Sequence, residues 1–303
     1  MKRKVLTIAF ALTFSMALAA CESGDEIIID SPDNINSHAD YVIGKYYETF
    51  YVNNNDFIGY VEIFPWIQYP VYQSTDNDFY LKHDLDKNPN ENGAISTYHN
   101  GVFAYDTRPD ATIIYGQSFI THHMFQPLNL YRGIQGVDAF KFLGDNAVIK
   151  FDTLYEEGNY KIFGVFQVNT AESQGEIFEL SENIYFENKA HFDEFVADIL
   201  DRSFYYTNVE LQYGDELLLL VTDDFSMFAN GADSTVRLII AARRVRAGEY
   251  YKFTEEEKAA FIDNRGVDED GKMKRKMFEA YYRHHNRGLE WAGRNWDLDY
   301  IKS

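Results

Sequence analysis

Thiol chemistry has a single address in this 303-residue chain, because Cys21 is its one cysteine. Cys21 closes the run Leu18-Ala19-Ala20-Cys21, behind a basic start (Lys2, Arg3, Lys4) and a mostly apolar stretch over 5–18. A charged start, an apolar run and small residues before a cut make a secretory signal peptide. The last four residues have the pattern of a bacterial lipobox. The expectation is a sulfur that carries an acyl chain on the first residue of the mature protein, not a sulfur that attacks a substrate. With no second cysteine, disulfides and thiolate metal sites are excluded.

The other reactive side chains do not assemble a site by spacing. His38, His83, His99 and His191 show no ligand spacing. His284-His285 are adjacent on an expected helix and point in different directions, which disfavours a metal pair. Asp268-Glu269-Asp270-Gly271 has the look of a calcium loop. Placing Gly271 sixth puts Gly266 first and Met277 twelfth, where an acidic residue is required at both. Ser118 stands in no nucleophile elbow and has no paired base. No metal and no cofactor are expected.

The elements that would position a site are mostly strands. Aromatic residues make up 17%, with 23 Tyr and 24 Phe, a composition that suits β structure. Strands are expected over 60–64 and 69–73, with Pro70 marking an edge or a strand start. A short one is expected over 112–115. A hairpin is expected from 147–152 and 160–168, with Glu157-Gly158 near the turn. Two more strands are expected over 217–222 and 236–245. Helical spacing appears over 39–51 (Val42, Ile43, Tyr46, Tyr47, Phe50) and over 189–201 (Phe192, Phe195, Val196, Ile199). Thr254 reads as the N-cap of a helix over 255–262 with acidic residues in its first turn. A second late helix is expected over 272–285. The expected organisation is a signal peptide at 1–20, a tether at 21–38, one domain at 39–247 and a helical C-terminal extension at 248–303.

Charge narrows the partners. The formal net charge is -20, and it becomes more negative once Lys2, Arg3 and Lys4 leave with the signal. Such a surface repels nucleic acid and anionic head groups. Beyond the signal no apolar run reaches the roughly 18 residues that span a bilayer. Membrane contact is therefore expected only through the lipid on Cys21, giving an extracytoplasmic, lipid-anchored protein.

Several segments in order carry a resemblance. Asn55-Asp56-Phe57-Ile58-Gly59-Tyr60-Val61-Glu62-Ile63, then Tyr69-Pro70-Val71-Tyr72-Gln73, then Asp76-Asn77-Asp78-Phe79-Tyr80-Leu81 resemble the opening of class B sortases. Thr112-Ile113-Ile114-Tyr115-Gly116, Met124-Phe125 with Leu128 and Tyr131, Tyr160-Lys161-Ile162-Phe163 and Gly214-Asp215 continue the match over roughly 39–246. The resemblance implies a mainly β fold with peripheral helices, a closed mixed β-barrel of about eight strands. The helices after Thr254 have no place in that pattern.

The family's transpeptidase chemistry uses a histidine, a cysteine and an arginine. The resemblance places the histidine after Tyr115-Gly116, where this chain has Gln117. It places the cysteine after the Thr of the 217–222 strand, where this chain has Asp223. It places the arginine at the start of the next strand, where Arg237 is kept. A thiolate carries the acyl group, the histidine moves the proton and the arginine stabilises developing negative charge. Gln117 exchanges no proton near neutral pH, and an acyl group on Asp223 would be a labile mixed anhydride. The resemblance therefore implies a degenerate member without transpeptidase turnover, binding a peptide or a surface-protein partner in the groove. One alternative is a hydrolase or transpeptidase with altered chemistry using Asp223, with His122 or His123 as base. Another is a rigid spacer whose late basic helix engages a surface protein.

Overall fold

The computed structural model describes residues 28–29, 41–42, 45–104, 106–118, 124–133, 137–170, 177–224 and 236–264. Two short strands, β1 (Ile28–Ile29) and β2 (Tyr41–Val42), pair with each other. Helix α1 (Lys45–Asn53) follows. It starts later than its helical spacing suggests, because Tyr41 and Val42 are taken up by the β1–β2 ladder. Its aromatic face lies on the barrel: Tyr47 stacks on Tyr60 at 5.8 Å and Phe50 on Phe57 at 5.5 Å.

Eight strands close the barrel. They are β3 (Phe57–Ile63), β4 (Ile67–Tyr72), β5 (Ser96–Thr97), β6 (Ala111–Tyr115), β7 (Val148–Thr153), β8 (Asn159–Asn169), β10 (Leu217–Asp223) and β11 (Val236–Arg244). The order round the barrel is β10-β11-β8-β7-β3-β4-β5-β6, and β6 returns to β10. The sheet is mixed: β4–β5 and β6–β10 run parallel and the other neighbours antiparallel. Pro70 sits within β4 opposite Tyr60 of β3, while β5 joins β4 only at Tyr72. That stretch of β4 has a partner on one side, where a missing N–H costs the ladder least.

Two apolar layers explain why the central strands are apolar at nearly every position. Along β10, Leu218 and Leu220 face a cluster with Val61, Ile114, Phe151 and Ile240. Leu217, Leu219 and Val221 face a second cluster with Phe192, Phe195, Val196 and Ile199. Successive side chains on a strand point to opposite faces, so a strand covered on both sides loses its alternation. The outer cover is α3 (Lys189–Arg202), capped by Asn188, whose side chain accepts the His191 N–H. The helix lies close on β8, since a Cβ on Gly164 would stand 2.8 Å from Ile199 Cγ2.

Helix α2 (Ala139–Asp145) is capped by Asp138, whose carboxylate accepts the N–H of Phe140 and of Lys141. A short 3-10 helix, Gln126–Arg132, is buried from Gln126 to Tyr131. Beyond the barrel strands, Thr254 and Glu257 form a capping box for α4 (Glu255–Ala259). This helix ends earlier than expected. Phe261 turns into the core with Phe253, ring centroids 4.9 Å apart, and β12 (Ile262–Asp263) pairs with β9 (Tyr205–Tyr206). Residues 248–264 thus cover the barrel, where a separate helical extension was expected. The second late helix, over 272–285, lies outside the described residues.

Candidate functional site

The parallel pairing of β6 with β10 sets the site. Val221 stands opposite Tyr115, so both strands finish at the same rim. Gly116 N donates to Val221 O at 3.1 Å, and Thr222 Oγ1 donates to Gly116 O at 2.8 Å. These bonds carry the pairing past the strand end and fix Gln117 beside Asp223. Only glycine fits before Gln117, because a Cβ on Gly116 would meet Phe125 Cγ at 2.6 Å. The antiparallel neighbour β11 brings Arg237 directly opposite Asp223.

The three positions line one groove of about 160 Å³, with Leu81, Ala94 and Tyr115 among its walls. Arg237 Nη1 lies 3.0 Å from Asp223 Oδ1, and the two side chains are 26% and 25% exposed. The same nitrogen donates to Val236 O at 3.1 Å. Gln117 Nε2 donates to Leu81 O at 3.0 Å, tying the groove wall to the loop between β4 and β5. Behind the groove the Tyr98 and Tyr115 hydroxyls approach to 2.5 Å. Burial pushes both phenols above their ordinary range, and the Arg237 charge partly opposes that shift. Both are neutral hydrogen-bonding groups at physiological pH.

Chemically, the groove offers a half-buried carboxylate–guanidinium pair, an amide and neutral phenols. It can bind polar backbone and charged groups through charge-assisted hydrogen bonds. Among the described residues that line it there is no thiol.

No family model matches the chain. Sortase B of Listeria monocytogenes is 28% identical over 178 residues, which are 56% of this chain and 64% of that protein, so the match spans just under two thirds of the relative's length. Sortase B of Staphylococcus aureus is 21% identical over 214 residues, covering 70% of this chain and 79% of the relative. Among solved structures, Clostridium perfringens sortase B aligns with a TM-score of 0.55 at 20% identity, over 66% of this chain and 99% of that one. A sortase B–substrate complex from S. aureus aligns with a TM-score of 0.55 at 20% identity, over 68% and 87%. In sequence the chain is similar to sortase B, and its barrel has the class B sortase fold.

Within this sortase-like barrel, one buried acid escaped the sequence reading. Asp224 is fully buried beside Asp223, whose side chain is a quarter exposed. Its backbone N–H donates to Val236 O at 3.1 Å. Arg132 Nε lies 3.2 Å from Asp224 Oδ2, and Gln167 Nε2 donates to the same oxygen. Asn129 Oδ1 in turn accepts from Arg132 Nε at 3.1 Å. The signal was available as strand phase: Asp224 continues the series Leu218, Leu220, Thr222 that faces the barrel interior, and Asp223 the opposite series. Two consecutive strand acids on opposite faces cannot act together on one substrate.

The remaining candidates separate cleanly. Cys21, His122, His123, His284, His285 and 268–271 lie outside the described residues. Ser118 Oγ accepts from Asn129 Nδ2 at 3.2 Å, a structural contact. His83 stacks on Phe79 at 4.1 Å, His99 meets Asn77 at 3.0 Å, and His191 Nε2 meets Asn183 Oδ1 at 2.7 Å. Among the described residues no group of three or more His, Cys, Asp or Glu could hold a metal.

Proposed function

We propose that this class B sortase-like domain binds a peptide, or an extended segment of a partner protein, in the rim groove without transpeptidation. The carrying observation is the Asp223–Arg237 ion pair at 3.0 Å, in the place the resemblance assigns to the reactive thiol and its arginine. A carboxylate held by a guanidinium is a poor nucleophile toward an amide. Gln117 supplies no proton transfer. Loss of nucleophile and base together removes several orders of magnitude in rate. One matching structure is a substrate complex of S. aureus sortase B, which supports reading the equivalent groove here as a ligand site. The signal expected at 1–20 and a lipid on Cys21 would hold the domain at the outer face of a membrane.

The test uses the chain from residue 22 onward and fluorogenic sorting-signal peptides. No cleavage is expected, while peptide binding should weaken at least tenfold in Arg237→Ala. Turnover that vanishes in Asp223→Ala would overturn the proposal in favour of an enzyme that uses Asp223.

A further inference from the structure

A cavity that shares no residue with the groove lies between the β3–β4 tip, the end of α2 and the segment before α4. It encloses about 680 Å³, within the roughly 300–1,000 Å³ of small-molecule sites. Two aromatic residues that line it are left facing solvent: Phe64 is 70% exposed and Tyr251 is 39% exposed. Large apolar side chains held open on the wall of a concave site mark a recognition surface more than a packing defect. The rest of the wall mixes apolar residues, among them Ile63, Val148 and Phe253, with the polar Glu62, Asn146 and Asn159. Its charges are largely matched. Lys150 Nζ is 2.8 Å from Asp152, Lys258 Nζ is 2.9 Å from Glu255, and Asp145 is paired with Lys141 at 2.5 Å.

This combination selects a ligand class. An apolar ligand would strand the carboxylate and amides of the wall without partners. A phosphate-like anion would find Lys150 and Lys258 already engaged by carboxylates, with Lys252 set over the Tyr251 ring at 5.2 Å. A neutral polyol satisfies both halves of the site: ring C–H faces lie on Phe64 and Tyr251, and hydroxyls, each donor and acceptor, meet Glu62, Asn146 and Asn159. We infer that this cavity is a binding site for a short neutral oligosaccharide. The site stands apart from the rim groove, so its fate does not depend on how the groove is used.

Gly144 supplies the test. It lies in α2 and lines the cavity, and a Cβ there would meet nothing within 4 Å. A side chain can therefore start there without a clash at its Cβ, and leucine, which helix propensity favours over glycine, adds bulk at the cavity wall. The full chain from residue 22 is titrated with chitotriose and cellotriose, and with inorganic phosphate and a tripeptide as controls, by isothermal calorimetry and amide NMR shifts. Saturable binding of at least one trisaccharide is expected. Gly144→Leu and Tyr251→Ala should each weaken it tenfold or more, and Arg237→Ala should leave it unchanged. No saturable binding of either sugar, binding indifferent to both cavity variants, or preferential binding of phosphate or peptide at this cavity would overturn the inference. Circular dichroism of the variants separates lost binding from lost fold.

Discussion

Asp223 and Asp224 are neighbours in sequence with opposite duties, and replacing each by alanine separates them. Asp224 is fully buried, against Gln167 at 3% exposure and Arg132 at 18%. Asp224→Ala leaves the Gln167 amide short of a partner, which costs about 1–3 kcal/mol. Removing one member of a buried ion pair costs about 3–5 kcal/mol in all. Arg132 reaches some water and keeps Asn129, so the lower end applies, about 3 kcal/mol. At roughly 2–4 °C per kcal/mol for a domain of this size, Tm should fall by about 6–12 °C. Asp223→Ala breaks a pair whose members are each a quarter exposed, worth about 0–1 kcal/mol. Its Tm should move by less than about 4 °C. Urea unfolding and thermal melts at matched pH measure both. Equal losses, or an Asp224→Ala loss below about 1 kcal/mol, would refute the division of labour read from strand phase.

Acid should expose the second charged cluster. Glu249 accepts from Arg243 Nη2 at 2.9 Å and lies 3.0 Å from Lys161 Nζ, and these partners hold its carboxyl at about 2, down from 4.5. A folded value below the unfolded one gives stability that is full above about pH 4.5 and lost as pH falls toward 2; Glu249→Gln should flatten the stability–pH curve in that window, and an unchanged slope would count against the pairing. Metabolic labelling with a fatty-acid analogue should mark the expressed full-length chain and fail on Cys21→Ala; equal labelling of the two would remove the lipid anchor.

The barrel was legible where physics acts locally. Apolar runs over 217–222 and 236–245 became β10 and β11 to within one residue, because strands buried on both faces need apolar residues throughout. The 189–201 helix was legible through Phe192, Phe195, Val196 and Ile199, the face that α3 buries. The short pieces were not. Gln126–Arg132 is buried through contacts distant in sequence and has no period to detect, and no element was expected at α2. Phe261 belongs to the barrel core for the same reason: one aromatic anchor overrides the helix that Thr254 begins. At the site, Gln117, Asp223 and Arg237 were picked out by the resemblance, and all three line one groove in the fold. Leu81, 36 residues from Gln117, reaches the groove only through the fold.

The same geometry explains how a sortase-like rim can change its chemistry and keep its shape. The pairing of Asp223 with Arg237 is imposed by the β10–β11 register, and the approach of Gln117 by the β6–β10 ladder. Neither depends on what the side chains do. On the proposed reading, a carboxylate at position 223 presents Arg237 with a negative charge, so the guanidinium keeps a partner at the rim and is not left unpaired beside the core. On that reading the groove keeps its electrostatic pattern without a thiol nucleophile. Substituting Asp223 by asparagine should therefore disturb ligand affinity through Arg237 more than it disturbs stability, since the backbone ladder, not the ion pair, holds the rim together.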